Sequence, residues 1–84
     1  MNIYVSNLSF SIHDEELRRI FITYGEVSSA SVVMDRFSNR SKGFGFVEMA
    51  EEQAGQKAIN ELNGSMLDGR PINVSLARPK KEKW

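Results

Sequence analysis

Residues 42–49, "KGFGFVEM", carry two phenylalanines at alternate positions. In a strand, alternate side chains point to opposite faces. Lys42, Phe44, Phe46 and Glu48 therefore share one face, and Gly43, Gly45, Val47 and Met49 share the other. Burying Lys42 and Glu48 unpaired is very costly. Glycine inside a strand often marks the close approach of another element. The Gly-Val-Met face is thus expected inside, with Phe44 and Phe46 toward water. A strand phenylalanine is ordinarily a core residue, so the neighbouring segments have to decide.

Upstream, "NIYVSNL" (2–8) reads as a strand with Ile3 and Val5 on one face and Tyr4 and Ser6 on the other. In "FSIHDEELRRIFITYG" (10–25), Leu17, Ile20, Phe21 and Tyr24 recur at helical spacing and form one apolar stripe. Asp14, Glu15 and Glu16 suit the positive end of that helix, and Gly25 suits its stop. Ser11 and His13 both qualify as its cap. Phe10 is expected in the core or at the start of the helix. "EVSSASVVMD" (26–35) reads as a second strand with Ala30 and Val32 inward, and "RFSNRS" (36–41) as a loop in which Asn39 tolerates left-handed backbone.

Downstream, "AEEQAGQKAINELNG" (50–64) reads as a second helix, with Ala54, Ala58 and Leu62 on its apolar stripe, Ile59 beside it and Gly64 as its stop. Asp68-Gly69 is a turn. "INVSLA" (72–77) alternates again, with Ile72, Val74 and Leu76 expected inward and Asn73, Ser75 and Ala77 outward. The element order is strand, helix, strand, strand, helix, strand. That is an α+β, ferredoxin-like βαββαβ sandwich: a four-stranded antiparallel sheet with both helices on one face. Two helices cover one face of the sheet and the other stays wet. Tyr4 has the same outward parity as Phe44 and Phe46. Three aromatics on an open face form an apolar patch that a monomer seldom keeps without a partner.

The chain has 84 residues, which suits one domain burying roughly 60% of its unfolded surface. There is no cysteine, so packing alone must hold the core. The expected domain is residues 1–78, followed by a basic tail over 79–84. No run approaches a membrane span, and a strand-like run follows Met1 at once, so no secretory signal is expected. A cytoplasmic location is expected, or a nuclear one in a eukaryote. Formal net charge is zero, from 11 basic and 11 acidic residues, which argues against a strongly basic nucleic-acid binder. The charges are nevertheless grouped. Arg36, Arg40 and Lys42 cluster in one segment and Arg78, Lys80, Lys81 and Lys83 in another, while acids gather at 14–16 and 48–52. Exposed rings flanked by cations suit unpaired nucleobases, which stack on the rings while their phosphates pair with the basic groups. A duplex cannot present its bases this way, so the ligand should be single-stranded.

"KGFGFVEM" resembles the octamer of the RNA recognition motif, and "IYVSNL" (3–8) resembles its hexamer. "EELRRIFITYGEV", "DRFSNRSKGFGFVEM" and "AINELNG…LDGRPINV" fall where that family places them, so the resemblance runs from residue 2 to about residue 78. It implies that Tyr4 and Phe46 each stack one base, that Phe44 packs on the sugars between them and that Lys42 contacts phosphate. It further implies that Asn73, Ser75 and the chain through Ala77 and Arg78 read base edges. Met49 replaces the final aromatic of the octamer, an inward exchange. Ser38-Asn39 stands where the family often has Thr-Gly. The start at Met1 is similar to that of small single-domain bacterial RNA-binding proteins, including those of cyanobacteria.

The partner so implied is single-stranded RNA and, more weakly, single-stranded DNA, bound by a monomer with Arg36 and Arg40 adding phosphate contacts. Neither cofactor nor metal is expected, and no catalytic residue is assigned. An acylphosphatase-like hydrolase on the same topology needs an anion-holding loop with a positioned arginine, and no glycine-rich phosphate loop opens a helix here. A protein-interaction module using the aromatic face is the alternative activity. Phe37, in the basic loop, and Trp84, in the tail, are further candidate rings.

Overall fold

A computed structural model describes residues 1–77. Its elements are β1 (Asn2–Ser6), α1 (Asp14–Ile22), β2 (Val27–Met34), β3 (Ser41–Met49), α2 (Glu52–Leu62), β4 (Met66–Leu67), β5 (Arg70–Pro71) and β6 (Asn73–Leu76). The four long strands form one sheet in the order β2-β3-β1-β6, and every pairing within it is antiparallel. β3 and β1 are therefore central neighbours. The short pair β4–β5 is a separate hairpin, closed by Asp68 and Gly69. Both turn residues have positive φ, 55° and 84°, as a two-residue turn with this twist requires.

Alternation decides the layers. Ile3 and Val5 on β1, Val32 on β2, Val47 and Met49 on β3 and Val74 on β6 are buried, as are Leu17 and Phe21 on α1 and Ala58 and Leu62 on α2. Ile20, Tyr24, Ala30, Ala54 and Ile59 pack around this core. The glycine-bearing face of β3 thus lies beneath the helices. At Gly45 there is no room for a side chain: a Cβ there would stand 2.5 Å from the Ser31 carbonyl oxygen and 3.2 Å from Leu17 Cδ2. A second close approach lies at buried Gly55 on α2, where a Cβ would collide with the side chain of Met1. Small residues let α2 rest directly on β1.

The acidic start of α1 has two structural duties. The His13 amide donates to the Glu16 carboxylate at 2.8 Å, which makes His13 the cap residue of the two candidates. The Val32 amide donates to Asp14 Oδ1 at 2.7 Å and ties the helix start to β2.

Three expectations need correction. Gly25 does not end α1; the helix stops at Ile22 with right-handed Thr23 as its cap. Gly25 instead allows a close approach to α2, since a Cβ there would lie 2.6 Å from Ala54 Cβ. Leu76, expected inside, is 59% exposed. It pairs with buried Ile3, but it is the last residue of an edge strand, where the sheet corner has few neighbours. Phe10 is 61% exposed, which excludes the core as its place and leaves it in the turn ahead of α1, with Leu8 and Ile12 filling the core on either side of it.

Candidate nucleic-acid interface

The open face of the sheet is assembled by strand register. Tyr4 lies directly opposite Phe46 on one side and Ser75 on the other, and Ser31 lies opposite Phe46. The sheet therefore carries a continuous row, Ser31–Phe46–Tyr4–Ser75. In the adjacent row, Phe44 pairs with Ser6, which pairs with Asn73. The three rings are mutual neighbours: centroids lie 5.3 Å apart for Tyr4–Phe46, 5.9 Å for Tyr4–Phe44 and 6.5 Å for Phe44–Phe46. The Tyr4–Phe46 and Phe44–Phe46 pairs meet edge to face, at 73° and 61°, and the Tyr4–Phe44 pair is tilted at 47°. Such pairs are worth about 0.5–1.5 kcal/mol beyond area burial. The rings thus hold one another in place before any ligand arrives, which lowers the ordering cost of binding.

Phe46 is 40% exposed, whereas Tyr4 and Phe44 are half-buried, partly by each other. Asn73 and Ser75 are exposed on β6, on the same face. Lys42 is exposed at the start of β3, separated from Phe44 by Gly43. Gly43 takes a left-handed φ of +87° inside the irregular pairing between Val32–Gly45 and Met34–Ser41, so strict alternation is broken there.

Arg36 and Arg40 are exposed in the β2–β3 loop. That loop is built around Asp35. Its amide donates to the Arg40 carbonyl at 2.7 Å, its carbonyl accepts from Asn39 at 2.8 Å and its carboxylate accepts from the Phe37 amide at 2.9 Å. Asn39 takes the left-handed turn position, with φ 62°, so the Ser38-Asn39 departure preserves a tight loop. Phe37 is 94% exposed at the tip between the two arginines. Arg78, the tail 79–84 and Trp84 lie outside the described residues.

Exposed Phe10, on the β1–α1 loop, stands beside β3: its ring Cε1 lies 3.5 Å from where a Cβ on Gly43 would be. The same loop is fastened to the β4–β5 hairpin. Ser11 donates to the Asp68 carboxylate, Arg70 Nη2 to Asn7 Oδ1 at 2.8 Å and Asn7 Nδ2 to the Pro71 carbonyl at 2.6 Å. The hydroxyls of Ser11 and Ser9 hold the Asp68 carboxyl below its usual range. Among the described residues no group of three or more His, Cys, Asp or Glu is placed to hold a metal ion, and no helix is long and apolar enough to cross a membrane.

A helix-backed antiparallel sheet with an aromatic cluster on its bare face and cations at a loop beside it is the arrangement of a ferredoxin-like βαββαβ domain. The chain belongs to the RNA recognition motif family, whose pattern matches residues 3–73. It is 53% identical over 75 residues to the chloroplastic 29 kDa ribonucleoprotein of Arabidopsis thaliana, spanning 89% of this chain and 22% of that one. It is 43% identical over 83 residues to RbpE of Nostoc sp., spanning 99% of this chain and 84% of RbpE. A solved Sxl-lethal protein–RNA complex superposes with a TM-score of 0.89 at 32% identity, covering 96% of this chain and 48% of that one.

Proposed function

We propose that this chain binds single-stranded RNA on its open sheet face and acts after transcription by occupying that RNA. The observation that carries the reading is the cluster of Tyr4, Phe44 and Phe46 on the uncovered side of the two central strands. Bases stack on Tyr4 and Phe46, and Phe44 packs against the sugars between them. Exposed Asn73 and Ser75 offer hydrogen bonds to base edges from the neighbouring strand. Arg36, Arg40 and Lys42 meet phosphates at the loop side, and Arg78, the last residue of the 1–78 domain, adds a cation together with the tail 79–84. The ribonucleoprotein relative and the protein–RNA complex support the same reading. Single-stranded DNA, lacking the 2′-hydroxyl, binds more weakly. The unit acts as a monomer and performs no reaction.

Each stacked base contributes about 1–3 kcal/mol. Two or three stacks, less the cost of ordering the strand, leave an affinity on the order of micromolar. The test is fluorescence anisotropy with a short labelled single-stranded RNA, comparing the parent chain with the double variant Phe44→Ala/Phe46→Ala. Binding should weaken at least tenfold while the circular dichroism spectrum stays native. Unchanged affinity in a folded double variant would overturn the reading. A protein contact that survives competition by RNA would favour the interaction-module alternative.

A further inference from the structure

The row next to the stacking row carries a charge of the wrong sign for a phosphate-binding surface. Glu48 lies two residues beyond Phe46 on β3, and the two are on the same face. Its partner across β1 is Asn2 and its partner across β2 is Ser29, so the row reads Ser29–Glu48–Asn2. All three are exposed. A strand carboxylate commonly faces a cation on the adjoining strand; here both directly opposed residues are neutral. The spacing along the strand is roughly 7 Å for two residues, which puts the Glu48 carboxylate within reach of the edge of a base lying on the Phe46 ring.

A carboxylate is an acceptor only, with two oxygens. The pairing edges of the four bases differ in what they offer it. Guanine presents two adjacent donors, N1–H and the N2 amino group. Adenine and cytosine place a ring-nitrogen acceptor beside their single amino donor. Uracil flanks its one N–H with two carbonyls. Only guanine can satisfy both oxygens without opposing a lone pair, and a bidentate pair of this kind adds both energy and discrimination against the wrong base.

Resting on the RNA-binding reading above, we propose that Glu48 is a specificity-determining residue. It selects guanine for the base stacked on Phe46, and the Asn2 amide lies beside it for the remaining acceptor of that base. The carboxylate also repels a phosphate placed in the same spot. It therefore disfavours RNA that crosses the sheet with its backbone over this row.

The test uses the full chain and four five-nucleotide RNAs that differ only at the centre: UUGUU, UUAUU, UUCUU and UUUUU. The parent chain should bind UUGUU about five- to tenfold more tightly than the other three. Replacing the central guanosine by inosine, which lacks the N2 amino group, should remove most of that margin. Glu48→Gln should abolish the guanine preference while leaving UUUUU binding equal or stronger, since a repelling charge is gone. The position is exposed, so the variant should fold, and amide chemical shifts check that it does. A parent chain that binds all four RNAs equally, or a Glu48→Gln variant that keeps the guanine margin, overturns the inference and leaves the RNA-binding reading standing. Failure of all four RNAs to bind overturns both.

Discussion

The rings of Tyr4 and Phe46 meet edge to face across the central strand pair, 5.3 Å between centroids and 73° between planes. They come from residues 42 positions apart in the chain, joined only by the antiparallel register of β1 and β3. Each ring buttresses the other. On the proposed RNA-binding reading, what matters at Tyr4 is the ring rather than its hydroxyl. Tyr4→Phe should keep RNA affinity within about twofold, whereas Tyr4→Ala should lose about 1–3 kcal/mol, the value of one stack. Isothermal titration with a short single-stranded RNA measures both.

Gly45 is where the sheet and helix α1 leave no space. A methyl group there meets the Ser31 carbonyl, which belongs to the β2–β3 ladder and cannot swing aside like a side-chain tip. Gly45→Ala should destabilise the fold by about 1–3 kcal/mol through overpacking. Urea unfolding followed by circular dichroism reads it, and the midpoint should fall with little change in slope.

Arg36 and Arg40 stand exposed on a loop that Asp35 and Asn39 hold in shape. If they meet phosphates, their loss weakens all RNA sequences alike and flattens the dependence on salt. Arg36→Ala/Arg40→Ala should reduce the slope of log affinity against log salt by roughly 0.7 per arginine. An affinity loss equal at low and high salt would contradict an electrostatic role.

The Asp68 carboxylate accepts a hydrogen bond from the Ser11 hydroxyl of the β1–α1 loop, with the Ser9 hydroxyl beside it, and its folded-state pKa is lowered from 3.8. The folded state thus releases the proton more readily than the unfolded chain. The stabilisation is complete above pH 3.8 and is lost as pH falls below that value through the folded-state pKa. Asp68→Asn keeps a residue that tolerates the left-handed turn position. It should be slightly less stable than the parent at neutral pH, and the two should converge in acid. Thermal unfolding midpoints measured from neutral pH down to below 3.8 follow that convergence.

Much of this molecule was legible in local chemistry. Period-two alternation set Ile3 and Val5 against Tyr4, and Val47 against Phe46, because side-chain direction in a strand follows from covalent geometry. The cost of burying Lys42 and Glu48 then chose which face went under the helices. The helical spacing of Leu17, Ile20, Phe21 and Tyr24 identified the stripe that packs there. The element order already made the first and third strands expected central neighbours, with Tyr4 beside Phe44 and Phe46, and the sheet order β2-β3-β1-β6 agrees. Only the tertiary structure decided the register, which sets Tyr4 opposite Phe46 and Glu48 between Asn2 and Ser29, because register depends on contacts between distant segments that no local period encodes. The same holds for the exposure of Leu76 and Phe10 and for the packing of Gly25 on Ala54. Each depends on how far a neighbouring element reaches over a corner of the sheet, and that is set by packing rather than by residue type.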